Sequence, residues 1–179
     1  RVQSFHRWDD LGPLLRGLRR GEIGRVAVVG AGLVGCELAE AFGGLWGAEV
    51  VVVEAAATPL PGLLDQEVGA CVTRHLESNG VEVRLDSPVQ QVEADDDRVT
   101  LVRGSETITA DVVGVAVGVE PEVELARAVG ARIGPTGAIA VDERLATSRP
   151  HVWAAGDCIE VSDAVTGAPV FRRLGSLAN

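Results

Sequence analysis

The feature that most limits what this chain can fold into is Gly30-Ala31-Gly32-Leu33-Val34-Gly35, a GxGxxG directly behind a β-branched run and directly ahead of a helical pattern. Residues 25–30 (RVAVVG) are short, nearly all apolar and bounded by glycines. That texture predicts a strand buried on both faces, hence a parallel sheet. Over residues 33–46, Leu38, Ala41, Phe42 and Leu45 recur at three- and four-residue steps. This predicts an amphipathic helix, with Glu37 and Glu40 in its first turns near the positive end of the dipole. Residues 49–54 (EVVVVE) supply a second buried strand, so the three elements close a βαβ unit with a right-handed crossover. In that setting Gly30 permits the tight turn, Gly32 lets a pyrophosphate approach the backbone, and Gly35 lets the helix pack closely on the strand. Glu54 ends the second strand 19 residues after Gly35, where a carboxylate can accept hydrogen bonds from adenosine ribose hydroxyls. Ala55, Ala56 and Ala57 follow, with no arginine ready for a 2′-phosphate. The pattern predicts a dinucleotide site favouring NAD over NADP, walled by Leu33 and Val34. Glu37 reads either as a dipole-stabilising carboxylate or as a group near the nicotinamide.

Around this unit, residues 8–20 place Leu11, Leu14, Leu15 and Leu18 at helical spacing, with Arg16, Arg19 and Arg20 toward the end and Gly21 as the stop. A further helix is expected over 65–79, with Val68, Val72, His75 and Leu76 along one side, and a strand over 81–85. Alternation then changes. Runs at 89–92, 98–102 and 107–109, separated by Asp95-Asp96-Asp97 and Gly104-Ser105, predict a three-stranded antiparallel meander with the acidic triplet as a solvated turn. Residues 111–117 (DVVGVAV) read as another buried strand and 122–129 as a short helix. Beyond residue 134 only 138–141 and 151–155 are strand-like.

Charge and cysteine usage narrow the class. The 26 acidic residues outnumber 16 basic ones, all arginine, and no basic run is interleaved with aromatics, which argues against a nucleic-acid partner. No apolar stretch approaches the roughly 18 residues of a membrane span. Cys36, Cys71 and Cys158 form no CxxC pair, and His6, His75 and His151 show no metal spacing. A reducing cytoplasmic setting is expected, with Cys36 and Cys71 packing inside helices and Trp46 and Trp153 serving core or interface packing. A start at Arg1 and a stop on a glycine-serine stretch suggest a piece of a longer protein.

Three segments together resemble the FAD-dependent pyridine nucleotide-disulfide oxidoreductases. VVGAGLVGCELAEAF at 28–42 is similar to that family's NAD-domain signature, DVVGVAVGVEPE at 111–122 to its strand and AxGxxP turn, and ATSRPHVWAAGDC at 146–158 to its second flavin signature. The tail at 163–179 looks most like the branch of NADH oxidases, NADH peroxidases and coenzyme A-disulfide reductases. The resemblance implies that Glu37 lies beside the nicotinamide end, that Gly118 lines the NAD site, and that Gly156 and Asp157 meet FAD, with Asp157 bonding its ribityl chain. It implies an α/β fold: a Rossmann-like parallel sheet with an antiparallel three-stranded meander, plus a returning segment of an FAD-binding domain. The domains expected are a linker helix over 1–24, an NAD(H)-binding domain over 25–142 and a partial FAD-binding segment over 143–179.

The resemblance further implies that the redox-active cysteine lies outside this chain, that Cys158 is not the redox centre, and that the parent is a homodimer. The function expected is to position NADH for hydride transfer to FAD, and on to a disulfide, peroxide or oxygen acceptor. The alternative is a non-catalytic module that reads NADH. The flavin-like signature speaks against that alternative. An NADP-linked dehydrogenase without flavin fits poorly with Glu54 and with a chain that has neither tyrosine nor lysine.

Overall fold

A computed structural model describes residues 1–5 and 8–171 of the chain. His6 and the last eight residues of the tail segment lie outside the described residues. The first elements are β1 (Val2–Gln3), α1 (Trp8–Arg20), β2 (Arg25–Val29), α2 (Leu33–Glu40) and β3 (Glu49–Val53). Then come α3 (Gln66–Ser78), β4 (Val81–Arg84), β5 (Gln91–Ala94), β6 (Val99–Arg103), β7 (Glu106–Ala110) and β8 (Val112–Val115). The chain continues through α4 (Glu124–Ala128), β9 (Ile139–Ala140), β10 (Ile159–Ser162) and β11 (Pro169–Val170).

Strands β1-β8-β2-β3-β4 form a five-stranded parallel sheet in that order, and β5-β6-β7 form the antiparallel meander. Strand alternation divides the sheet's two faces. Val26, Val28, Val50 and Val52 join Leu14 and Leu18 of α1, Ala39, Phe42 and Leu76 in one apolar cluster on the helical side. Ala27, Val51, Val53 and Val113 face the other way, against Val99, Leu101, Ile108 and Ala110 of the meander. Burial on both faces is the reason β2 and β3 read as unbroken apolar runs.

Several details depart from the sequence-based expectation. Residues 33–46 form no uniform α-helix: α2 ends at Glu40 and a wider π turn runs over Ala41–Leu45. The wider turn carries Leu45 off the buried stripe, leaving it 81% exposed. On α3 the buried line is Gly69 and Leu76, with Val72 packed beside it, while Val68 and His75 face solvent. Cys71 is exposed and so does no helix packing, and neither Trp46 nor Trp153 is a core residue. Strand β10 carries no signal recognised in the sequence, and 151–155 makes only an isolated bridge, Ala146 to Trp153. Asp95 does form a turn: its Oδ1 accepts from the N–H groups of Asp97 and Arg98, which hold its carboxyl below the usual range.

The chain divides into two compact units between Gly118 and Val119. The first holds both clusters above and includes residues 1–24, which contribute β1 and two core leucines beyond the expected linker. In the second, Val123, Ala126, Ala131 and Ile139 pack with Ala154 and Cys158, so α4 and β9 share a core with the flavin-like segment.

Candidate functional site

From β2 the chain steps outward to β3 and β4 and later returns to lay β8 on the opposite side of β2, so the strand order reverses between β2 and β8. Such a switch point leaves a crevice at the carboxyl ends of the two strands. The glycine turn leaves the end of β2 there, and residues 116–118 leave the end of β8. Backbone bonds fix both: Gly30 N–H donates to Val53 O at 2.8 Å, and Ala116 N–H donates to Val29 O at 2.8 Å.

Each glycine of the motif answers a different demand. Gly30 has φ +100°, and a Cβ on it would lie 2.5 Å from Ala116 O. Gly35 is buried, and a Cβ there would strike the carbonyl of Gly30. Gly32 is neither strained nor crowded: it has φ −72° as the N-cap of α2, and nothing lies within 4 Å of the position a Cβ would take. No side chain caps α2. The N–H groups of its first turn have no intrahelical partner, so they and the helix dipole present a positive backbone surface suited to an anionic group. Leu33 and Val34, 44% and 54% exposed, stand beside that opening.

Glu54 sits at the end of β3, only 9% exposed. Its Oε2 accepts from the N–H of Ala31 at 2.6 Å and its Oε1 from the N–H of Ala56 at 2.8 Å. Neither bond was foreseen from the sequence, which shows an acidic strand end but not what it touches. Ala31 is fully buried and doubly held, because its carbonyl accepts from Leu60 N–H at 2.8 Å. Leu60 lies in the loop between β3 and α3, and no local pattern in the sequence encodes its contact with the motif.

Glu37 is exposed and is the fifth residue of α2, and Glu40 is the last, so neither lies in the first turn, where a carboxylate would meet the positive end of the dipole. The dipole-stabilising reading of Glu37 falls with that. Cys36 packs partly into the helical-side core. Burial above all, with the charges of Glu54 and Glu37, pushes its thiol pKa up, which keeps it protonated and unreactive. Gly118, with φ +108°, ends the first unit. In the second unit Gly156 has φ +91° and Asp157 is exposed, its carboxylate without a hydrogen bond or ion pair among the described residues. Cys158 is half-buried and packs in that unit's core. No cluster of ligating side chains suited to a metal ion occurs among the described residues, and no helix among them is long and apolar enough to cross a membrane.

A family profile described as pyridine nucleotide-disulphide oxidoreductase matches residues 3–171. An NADH oxidase of Methanocaldococcus jannaschii is 37% identical over 154 residues, covering 86% of this chain and 34% of the relative. A CoA-dependent NAD(P)H sulfur oxidoreductase of Pyrococcus abyssi is 35% identical over 162 residues, covering 90% of this chain and 36% of the relative. Among solved structures, an NAD-dependent persulfide reductase from A. fulgidus superposes with a TM-score of 0.92 at 36% identity, covering 99% of this chain and 33% of that one. The chain thus spans about a third of the length of the relatives it matches.

Proposed function

The chain belongs to the pyridine nucleotide-disulphide oxidoreductase family, and from that premise we propose that it is the NAD(H)-binding part, with a segment of the flavin-binding part, of a cytoplasmic, homodimeric, FAD-dependent oxidoreductase. The observation that carries the reading is the open amino end of α2 at the switch point, with Gly32 unobstructed and Ala116 against Gly30. With NADH bound there, the reduced nicotinamide would supply hydride and a flavin would accept it, for delivery to a disulfide, peroxide or oxygen acceptor.

The residues present fit a dinucleotide. The first-turn N–H groups of α2 would bind the pyrophosphate without a cation. Leu33 and Val34 would cover apolar parts of the nucleotide. Glu54 retains acceptor capacity for the ribose, since each carboxylate oxygen has two lone-pair sites and one is used. Its negative charge disfavours a 2′-phosphate, and Ala55 and Ala57 offer none a partner. Glu37 and Gly118 orient the nicotinamide end. The flavin would be met by Gly156 and Asp157, whose exposed carboxylate accepts from a hydroxyl. A family match running through residue 171, past Asp157, supports this redox role over a module that only reads NADH.

The test is a calorimetric titration of the chain with NADH and, on the same preparation, NADPH. NADH should bind at least about tenfold more tightly, roughly 1.4 kcal/mol. Equal affinities, or no binding of either, would overturn the assignment.

A further inference from the structure

We infer that Glu54 is a positioning residue for the glycine turn: its carboxylate holds the Ala31 N–H in place before any coenzyme arrives, and this is separable from any contact with ribose. The inference rests on the NAD(H) reading for its functional consequence but not for its geometry. Three observations carry it. Glu54 is 9% exposed, and no arginine pairs with it among the described residues. A buried carboxylate without a counter-cation must be stabilised by hydrogen bonds. Those bonds are two backbone N–H groups: Ala31, inside the GxGxxG, and Ala56, two residues beyond Glu54 itself. Ala31 is held on both sides, its N–H by Glu54 and its carbonyl by the N–H of Leu60. The carboxylate therefore ties the end of β3 to the turn leaving β2, and fixes the peptide next to Gly32, where the pyrophosphate would approach.

A second consequence concerns selection. A glutamate on the surface could swing aside to admit a 2′-phosphate. Glu54 cannot do so without leaving the buried Ala31 N–H and the partly buried Ala56 N–H unpaired, so its charge stays in place and acts by exclusion as much as by bonding. Charge and reach can be uncoupled by substitution. Glu54→Asp keeps the charge but shortens the arm by one methylene, so it cannot bridge Ala31 and Ala56 as the glutamate does. Glu54→Ala removes both.

The experiment is amide hydrogen exchange on the coenzyme-free 179-residue chain, read at Ala31, with the N–H groups of Val28 and Val52 as controls for the intact sheet. NADH and NADPH affinities are measured alongside. In Glu54→Asp, Ala31 should lose about tenfold or more in protection while the controls hold. NADH affinity should fall by about tenfold and the preference over NADPH should persist. In Glu54→Ala, Ala31 protection is lost to the same extent and the preference over NADPH collapses. Unchanged Ala31 exchange in both variants would overturn the inference. If the wild-type chain bound no NADH yet Ala31 exchange still depended on Glu54, the positioning role would stand and the coenzyme reading would fall. Loss of protection at the controls in Glu54→Ala shifts the decision to Glu54→Asp, where the controls must hold for the prediction to succeed and simultaneous loss everywhere counts against a local brace.

Discussion

At Gly35 a single methyl group has no space, because a Cβ would fall on the carbonyl of Gly30. At Gly32, three residues earlier, it would meet nothing in the protein. The two glycines therefore separate folding from binding. Gly35→Ala should destabilise the chain by about 1–3 kcal/mol, the usual range for overpacking, seen as a lower urea midpoint. Gly32→Ala should leave stability within about 0.5 kcal/mol. It should nonetheless weaken NADH by about tenfold, since the added methyl occupies the approach to the α2 N–H groups. A Gly32→Ala variant that binds NADH normally would mean that no pyrophosphate lies against that residue.

Among the elements, the start of β2 depends on a residue far away in sequence. Asp111, between β7 and β8, accepts at Oδ2 from the N–H groups of Gly24 and Arg25, both at 2.8 Å. Burial pushes its pKa up. The N–H groups of Arg25 and Gly24, aided by the charges of Arg98 and Arg1, outweigh that and leave it below the ordinary value. A carboxylate with a depressed folded pKa contributes stability that is fully present above its unfolded value, near 4. That contribution is lost as pH falls through the folded value. Asp111→Asn should thus be less stable than wild type at pH 7, with the difference in urea midpoint narrowing as pH drops below about 4. A gap that does not change with pH would detach Asp111 from the acid response. The π turn over Ala41–Leu45 is the other case where an element outruns its pattern. Phe42 stays buried at 4% exposure while Leu45 turns outward, a change of phase that a 3.6-residue period cannot contain.

For the whole molecule, the two units differ in what they complete. The first contains the whole crevice at the β2/β8 switch point. The second presents Gly156 and Asp157 on a short segment of a chain whose match spans about a third of the length of its relatives. The chain mixed with FAD should therefore leave gel filtration without stoichiometric flavin absorbance, and retention of one flavin per chain would show a flavin site complete within these residues. Much of the architecture was legible beforehand, because periodicity is local. Two buried strands, the intervening helix, the glycine motif and the meander each declare themselves within about 15 residues. The sequence by itself determined the α/β class, the position of the glycine turn and the acidic end of β3. Tertiary structure alone decided the contacts between segments distant in the chain: Glu54 on Ala31, Leu60 on Ala31, Asp111 on Arg25, and β1 at the edge of the sheet. The physical reason is that a side chain's type can be read from its neighbours in sequence. Its hydrogen-bond partner is set by which strands the folded sheet brings side by side.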